Sequence, residues 1–151
     1  MKVIESFSAE DTFAVGRELS TAAIPGQVYC LIGDLGVGKT VFTQGFARGL
    51  EISEPISSPT FTIVQEYEEG KMSFYHFDVY RIADVEEMEE IGYEDYFYGN
   101  GVCLIEWANL IEEILPEEYQ IIRIEKDLEK GFDYRKITIG SQDECSLEVF
   151  K

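Results

Sequence analysis

The sequence predicts an α/β domain in which a mixed parallel and antiparallel sheet is flanked by helices. Three observations predict it. A short apolar run, "QVYCLIG", leads through a glycine-rich loop into a helical pattern, the strand–loop–helix order of an α/β unit. A second apolar run, "GVCLIEWA", has the same buried-strand character. Between and after them, "FTIVQEYEEGKMSFYHFDVY" and the tail alternate in the way of antiparallel strands. A length of 151 residues suits one domain over residues 1–151, with no repeat and no dividing linker.

Each element follows in order. "KVIESFS" is a first strand. Ser8 is placed to cap a helix over residues 9–23, with Asp11 three positions on as a capping-box variant. Pro25 and Gly26 end that helix and turn the chain. After the strand "QVYCLIG", residues 39–50 form a helix with Val41, Phe42, Phe46 and Leu50 on its apolar face. "SEPISSPT" is a loop, because two prolines and four hydroxyl residues give the backbone little reason to form a ladder. Residues 61–80 make a hairpin turning at Glu68-Glu69-Gly70-Lys71. The acidic stretch that follows is helical in its first half, with Val85, Met88 and Ile91 spaced three apart. "NLIEEILP" is a short amphipathic helix that Pro116 stops. "YQIIRIEKD", "YRKITIG" and "SLEVF" complete the sheet as antiparallel strands.

Composition narrows the class. A hydrophobic content of 45% and an aromatic content of 13% describe a folded globule despite a formal charge of −18. No apolar run is long enough to span a membrane, and the first residues lack the shape of a signal peptide, so a cytoplasmic protein is expected. Cys30, Cys103 and Cys145 show no metal-ligand spacing, and the first two sit in apolar runs as small hydrophobes. With 30 acidic against 12 basic residues, the mean field repels nucleic-acid backbones. Any role with nucleic acid therefore calls for a partner that supplies most of the contacts.

The chemistry concentrates at "GDLGVGKT". Residues 33–40 fit G-x-x-x-x-G-K-[ST] without a mismatch, after a strand and before a helix, as the phosphate-binding loop requires. Gly33, Gly36 and Gly38 allow the backbone N–H groups to curl toward phosphate oxygens, with Asp34, Leu35 and Val37 supplying the intervening backbone. Lys39 reaches the β- and γ-phosphates. Thr40 offers a hydroxyl to Mg2+, and the helix N-terminus adds its dipole. The expected fold is thus a P-loop NTPase-like domain. Magnesium also wants a carboxylate at a neighbouring strand end. Glu106, closing "VCLIE", and Asp78, closing "SFYHFD", are the two candidates. The lone histidine, His76, is assigned no catalytic role, and its side chain is expected opposite those of Phe77 and Val79. Arg81 is placed either to reach phosphate or to pair with an acidic neighbour.

Several classes are excluded or weakened. A Ras-like GTPase needs D-x-x-G and N-K-x-D, and neither occurs. The five arginines, Arg17, Arg48, Arg81, Arg123 and Arg135, are scattered rather than gathered into a kinase lid. What stays open is a minimal ATPase, a small-molecule phosphotransferase sharing the loop, or an ATP-binding adaptor that never hydrolyses.

"GDLGVGKT", "SSPTFTIVQEY", "YHFDVYRIAD", "EEIGYEDYF" and "CLIEWA", in this order and spacing, resemble the TsaE family, the ATPase of bacterial tRNA threonylcarbamoyladenosine biosynthesis. The resemblance runs over about residues 13–116. It implies ATP with Mg2+ in the loop and metal ligation by Thr40 and Glu106. Ser58, Pro59, Thr60 and Phe61 resemble the family's first switch, with Thr60 sensing the γ-phosphate. Asp78 becomes the residue that orients the attacking water, and Arg135 corresponds to a basic residue near the nucleotide. Trp107 follows Glu106 as in the family. The implied partners are the TsaD and TsaB proteins, and tRNA is reached indirectly through them. TsaD transfers a threonylcarbamoyl group to adenosine 37 of tRNAs reading codons that begin with A, while the ATPase drives or resets the assembly. The acidic stretch over residues 84–95 is then a candidate docking surface. No arginine is positioned by sequence as a finger, so hydrolysis is expected to be slow alone and faster with a partner.

Overall fold

The computed structural model describes residues 1–34, 36–59 and 61–148. Its centre is a seven-stranded sheet in the order β1-β7-β6-β2-β5-β4-β3. The strands are β1 (Lys2–Ser6), β2 (Val28–Ile32), β3 (Val64–Tyr67), β4 (Phe74–Asp78), β5 (Val102–Glu106), β6 (Gln120–Lys126) and β7 (Arg135–Ser141). The middle four, β6, β2, β5 and β4, run parallel; β1 and β7 add antiparallel strands on one side and β3 on the other. This is the mixed sheet expected from the sequence. β2 and β5 are buried along their whole length, because helices or packed loops cover both faces of parallel strands.

Two apolar layers sandwich the sheet. On one face α1 (Ala9–Thr21) and α2 (Lys39–Gly49) bury Phe42, Phe46 and Leu50 against Leu31, Phe74, Leu104 and Ile122. On the other, Met88 and Phe97 from α3 (Glu86–Glu90) and α4 (Tyr93–Phe97) pack on Cys30, Phe77, Cys103 and Ile105. Ser8 caps α1 as its spacing requires: its hydroxyl accepts from the Asp11 N–H at 3.1 Å, and the Asp11 carboxylate accepts from the Phe7 N–H at 3.0 Å.

Four local expectations are corrected or extended. The helix after Ser8 stops at Thr21, earlier than residue 23. Residues 61–63 form a turn rather than strand: Ile63 adopts φ 69° and its carbonyl accepts from the Asp78 N–H at 2.8 Å. The first half of the acidic stretch is helical as expected, in α3, and its second half adds α4 beyond a break where Gly92 takes φ 73°. "NLIEEILP" is a 3₁₀ segment, Ala108–Ile114, kinked at Ile111; it lacks a capping side chain at Trp107, and Leu115 turns extended ahead of Pro116.

"SLEVF" is not a strand over residues 146–148; residues 149 and 150 lie outside those described. β7 already has neighbours on both sides, so no slot adjoins it. Arg123, buried in β6, instead donates to the carbonyls of Ser146 and Glu148.

Candidate functional site

β2, β5 and β4 are parallel neighbours, so their C-terminal ends open on the same edge of the sheet. The glycine-rich loop follows β2, Glu106 ends β5 and Asp78 ends β4. Asp78 and Glu106 stand directly across from each other in the ladder. The period of two then sets the faces: Phe74, His76 and Asp78 on β4, and Val102, Leu104 and Glu106 on β5, look toward α2.

A cleft of about 500 Å³ opens there. Gly36, Gly38, Lys39 and Thr40 form its floor, and Ser58, Asp78, Glu106 and Trp107 its facing wall. Gly36 and Gly38 adopt φ of 77° and 108°, which an L side chain would strain. α2 starts at Gly38 without a side-chain cap, so its first turn faces the cleft uncapped by protein side chains. Gly33 has a different task. A Cβ there would meet the Val37 side chain at 2.7 Å and the Ile124 carbonyl at 2.9 Å, so its smallness lets the loop pass β6.

Asp34 is exposed, and its carbonyl accepts from the Val37 N–H at 3.2 Å. The Val37 side chain is buried in the core. Leu35 and Thr60 lie outside the described residues.

The charged groups are packed tightly. Lys39 Nζ stands 3.9 Å from Glu106 Oε1 and 4.6 Å above the Trp107 ring. Burial pushes the Lys39 ammonium below its ordinary range, opposed by the nearby Glu106, Asp78 and Asp34 carboxylates. Asp78 is 6% exposed; its carboxylate accepts from Ser58 Oγ at 2.7 Å and from the Tyr80 N–H at 3.0 Å. Trp107 has φ 65°, a left-handed turn at the end of β5 that sets its ring against Tyr80 at 4.7 Å and over Lys39.

Arg81 lines the cleft and lies 4.9 Å over the Phe61 ring, a contact neither sequence alternative included. Arg135 stands apart from the main cleft. Its Nε donates to the Val37 carbonyl at 2.8 Å, bracing the loop from behind, and it lines a smaller hollow with Ser8, Thr12, Gly38, Val41 and Asp133.

Sequence reasoning gave His76 no catalytic role and left its contact with Glu106 unforeseen, and it did not single out Tyr80. His76 points away from Phe77 and Val79, as expected, and its Nε2 lies 2.8 Å from Glu106 Oε2. The signal was available: two residues before Asp78 on a strand is the same face.

The family model for "Threonylcarbamoyl adenosine biosynthesis protein TsaE" matches residues 6–137. The chain belongs to the TsaE family. The tRNA threonylcarbamoyladenosine biosynthesis protein TsaE of Bacillus subtilis is 51% identical over 142 residues, covering 92% of this chain and 87% of that protein. Its counterpart in Treponema pallidum is 45% identical over 112 residues, 74% of this chain and 82% of that protein. The crystal structure of Bacillus subtilis YdiB superposes with a TM-score of 0.77 at 41% identity, covering 93% of this chain and 84% of that one. No helix among the described residues of this TsaE-family chain is long and apolar enough to cross a membrane.

Proposed function

We propose that the cleft binds ATP with magnesium and slowly hydrolyses it, and that this activity serves threonylcarbamoyladenosine formation on tRNA. The observation that carries the reading is the convergence of a phosphate-binding loop with two strand-end carboxylates on one cleft. The cradle fits a phosphate chain: its glycines leave room for backbone approach, Lys39 is a buried cation, and the first turn of α2 points its N–H groups inward. Gly36, Gly38, Lys39 and Thr40 would hold the phosphates, with Thr40 and Glu106 as the protein's metal ligands. Bound magnesium would neutralise charge on the phosphate oxygens.

The chain's own residues do the rest. Lys39 carries positive charge to the phosphate end of the cleft. Asp78 accepts from Ser58 and the Tyr80 N–H, and in this reading it would also accept a hydrogen bond from an attacking water. Trp107 and Tyr80 wall that end of the cleft. Arg135 supports the nucleotide site through the loop, and the hollow it shares with Ser8, Thr12 and Val41 offers room for the base.

The relatives' names support tRNA threonylcarbamoyladenosine biosynthesis as the setting. The partners in this reading are TsaD and TsaB. A formal charge of −18 fits a subunit that leaves tRNA contact to them. The test is magnesium-dependent ADP release from ATP, alone and with TsaD and TsaB, with Lys39→Ala as control. Partner-stimulated release that the variant lacks is the expected result; equal, negligible release in every mixture would overturn the proposal.

A further inference from the structure

Glu106 is the only one of the two strand-end carboxylates that touches an imidazole among the described residues. His76 is 2% exposed and lies in β4 with Leu104 directly across from it in β5. Its ring stacks parallel to Phe74, with centroids 6.1 Å apart and planes 5° from coplanar. A carboxylate only accepts, so the 2.8 Å contact requires a hydrogen on Nε2. Nδ1 is buried and has no partner among the described groups, so the imidazole spends its one hydrogen bond on Glu106. The second carboxylate oxygen, Oε1, is the one facing Lys39.

We propose that His76 is a positioning residue for Glu106, fixing the carboxylate rotamer so that Oε1 is presented to the cleft. The proposal rests on the nucleotide–magnesium reading above and deepens it. The geometry separates the two oxygens: His76 engages Oε2, leaving Oε1 for a cation. Packing keeps it so, because the Phe74 stack and the β4 backbone allow the ring little rotation. Outer-sphere partners of this kind change metal affinity or activity by about 10–100-fold when removed.

The test compares two substitutions of different chemistry. His76→Phe keeps a ring on Phe74 but removes the donor. His76→Gln keeps an N–H at similar reach. For each, calorimetry gives the dissociation constant of a non-hydrolysable ATP analogue in EDTA and in saturating Mg2+, and the ratio of the two measures metal coupling. The expected result is a ratio about tenfold lower in His76→Phe and within about threefold of wild type in His76→Gln, with metal-free binding unchanged in both. A wild-type ratio in His76→Phe overturns the role of His76 alone. Analogue binding that is absent from the wild type, or indifferent to Mg2+, overturns the nucleotide–magnesium reading itself.

A variant-free measurement covers the case in which a substitution prevents folding. The chain has one histidine, so its imidazole nitrogen signals are unambiguous by NMR. Hydrogen on Nε2 and not on Nδ1 supports the assignment; hydrogen on Nδ1 alone overturns it.

Discussion

Lys39 meets two demands at once. In the proposed nucleotide site its ammonium would meet a phosphate from a buried position, yet burial disfavours its charge, and only partly do Glu106, Asp78 and Asp34 compensate. The sign of the consequence follows. The folded-state value lies below the ordinary 10.5, so between the two the unfolded chain holds the proton more tightly. This group's contribution to stability therefore rises with pH through that window, as the cost of burying a charged lysine is relieved. A phosphate chain reverses the balance by favouring the ammonium. Nucleotide binding in that window should take up protons, and calorimetry in two buffers of different ionisation enthalpy measures it; no uptake would mean Lys39 does not meet the phosphates. Asp78 supports a separate prediction. Asp78→Asn preserves size but weakens acceptance from water, so hydrolysis should fall about a hundredfold or more while ATP binding is retained. Equal losses in both would assign Asp78 to binding. At this scale the loop motif and both carboxylates were legible, because their chemistry demands fixed residue types. The Lys39–Trp107 stack was not, since neither spacing nor composition encodes a left-handed turn at Trp107.

The helices α1 and α2 show how an element is set by what it lacks. A Cβ on Gly45 would lie 2.0 Å from the Phe13 carbonyl oxygen, and one on Gly16 would lie 2.3 Å from that of Phe42. The two backbones meet through these glycines, and α2 carries Lys39 and Thr40 in its first turn. Gly45→Ala should thus destabilise by about 1–3 kcal/mol, read as a lower urea midpoint, and should also disturb the loop that α2 begins. An unchanged midpoint would show that the helices can separate freely. Losing the Ser8 cap is a milder change: Ser8→Ala should cost about 1 kcal/mol, read as a smaller drop in the urea midpoint. Capping was readable because it is local. The break at Gly92 and the 3₁₀ form of Ala108–Ile114 were not, because short segments take their shape from the surface they pack on.

Across the whole molecule, the strand order brings distant residues together. β6 lies between β7 and β2, so Arg123 reaches the chain's last described residues from the middle of the sheet. Arg123→Met keeps the buried stem and removes both hydrogen bonds to the Ser146 and Glu148 carbonyls. Proteolysis within residues 142–148 should accelerate in that variant, while wild-type susceptibility would show that the tail is held by other contacts. The thiols report on the same packing. Cys30 and Cys103 are fully buried, and burial pushes both thiols far up. Cys145 is half-buried. A thiol reagent should modify one cysteine in the native protein and three after denaturation, counted by mass.

The sequence by itself determined the class of fold, the glycine-rich loop motif, the two strand-end carboxylates and the family, because each depends on local periodicity or on residue types at fixed spacing. Only the tertiary structure decided which carboxylate holds which partner. Asp78 and Glu106 read alike as strand ends, yet the parallel register of β4 and β5 sets Glu106 beside His76 and Lys39, and Asp78 beside Ser58. It also decided that Arg135 braces the loop from behind and that Gly33 makes room for β6. The physical reason is the same in each case: these contacts join residues far apart in the chain, and only strand pairing and packing bring them within reach.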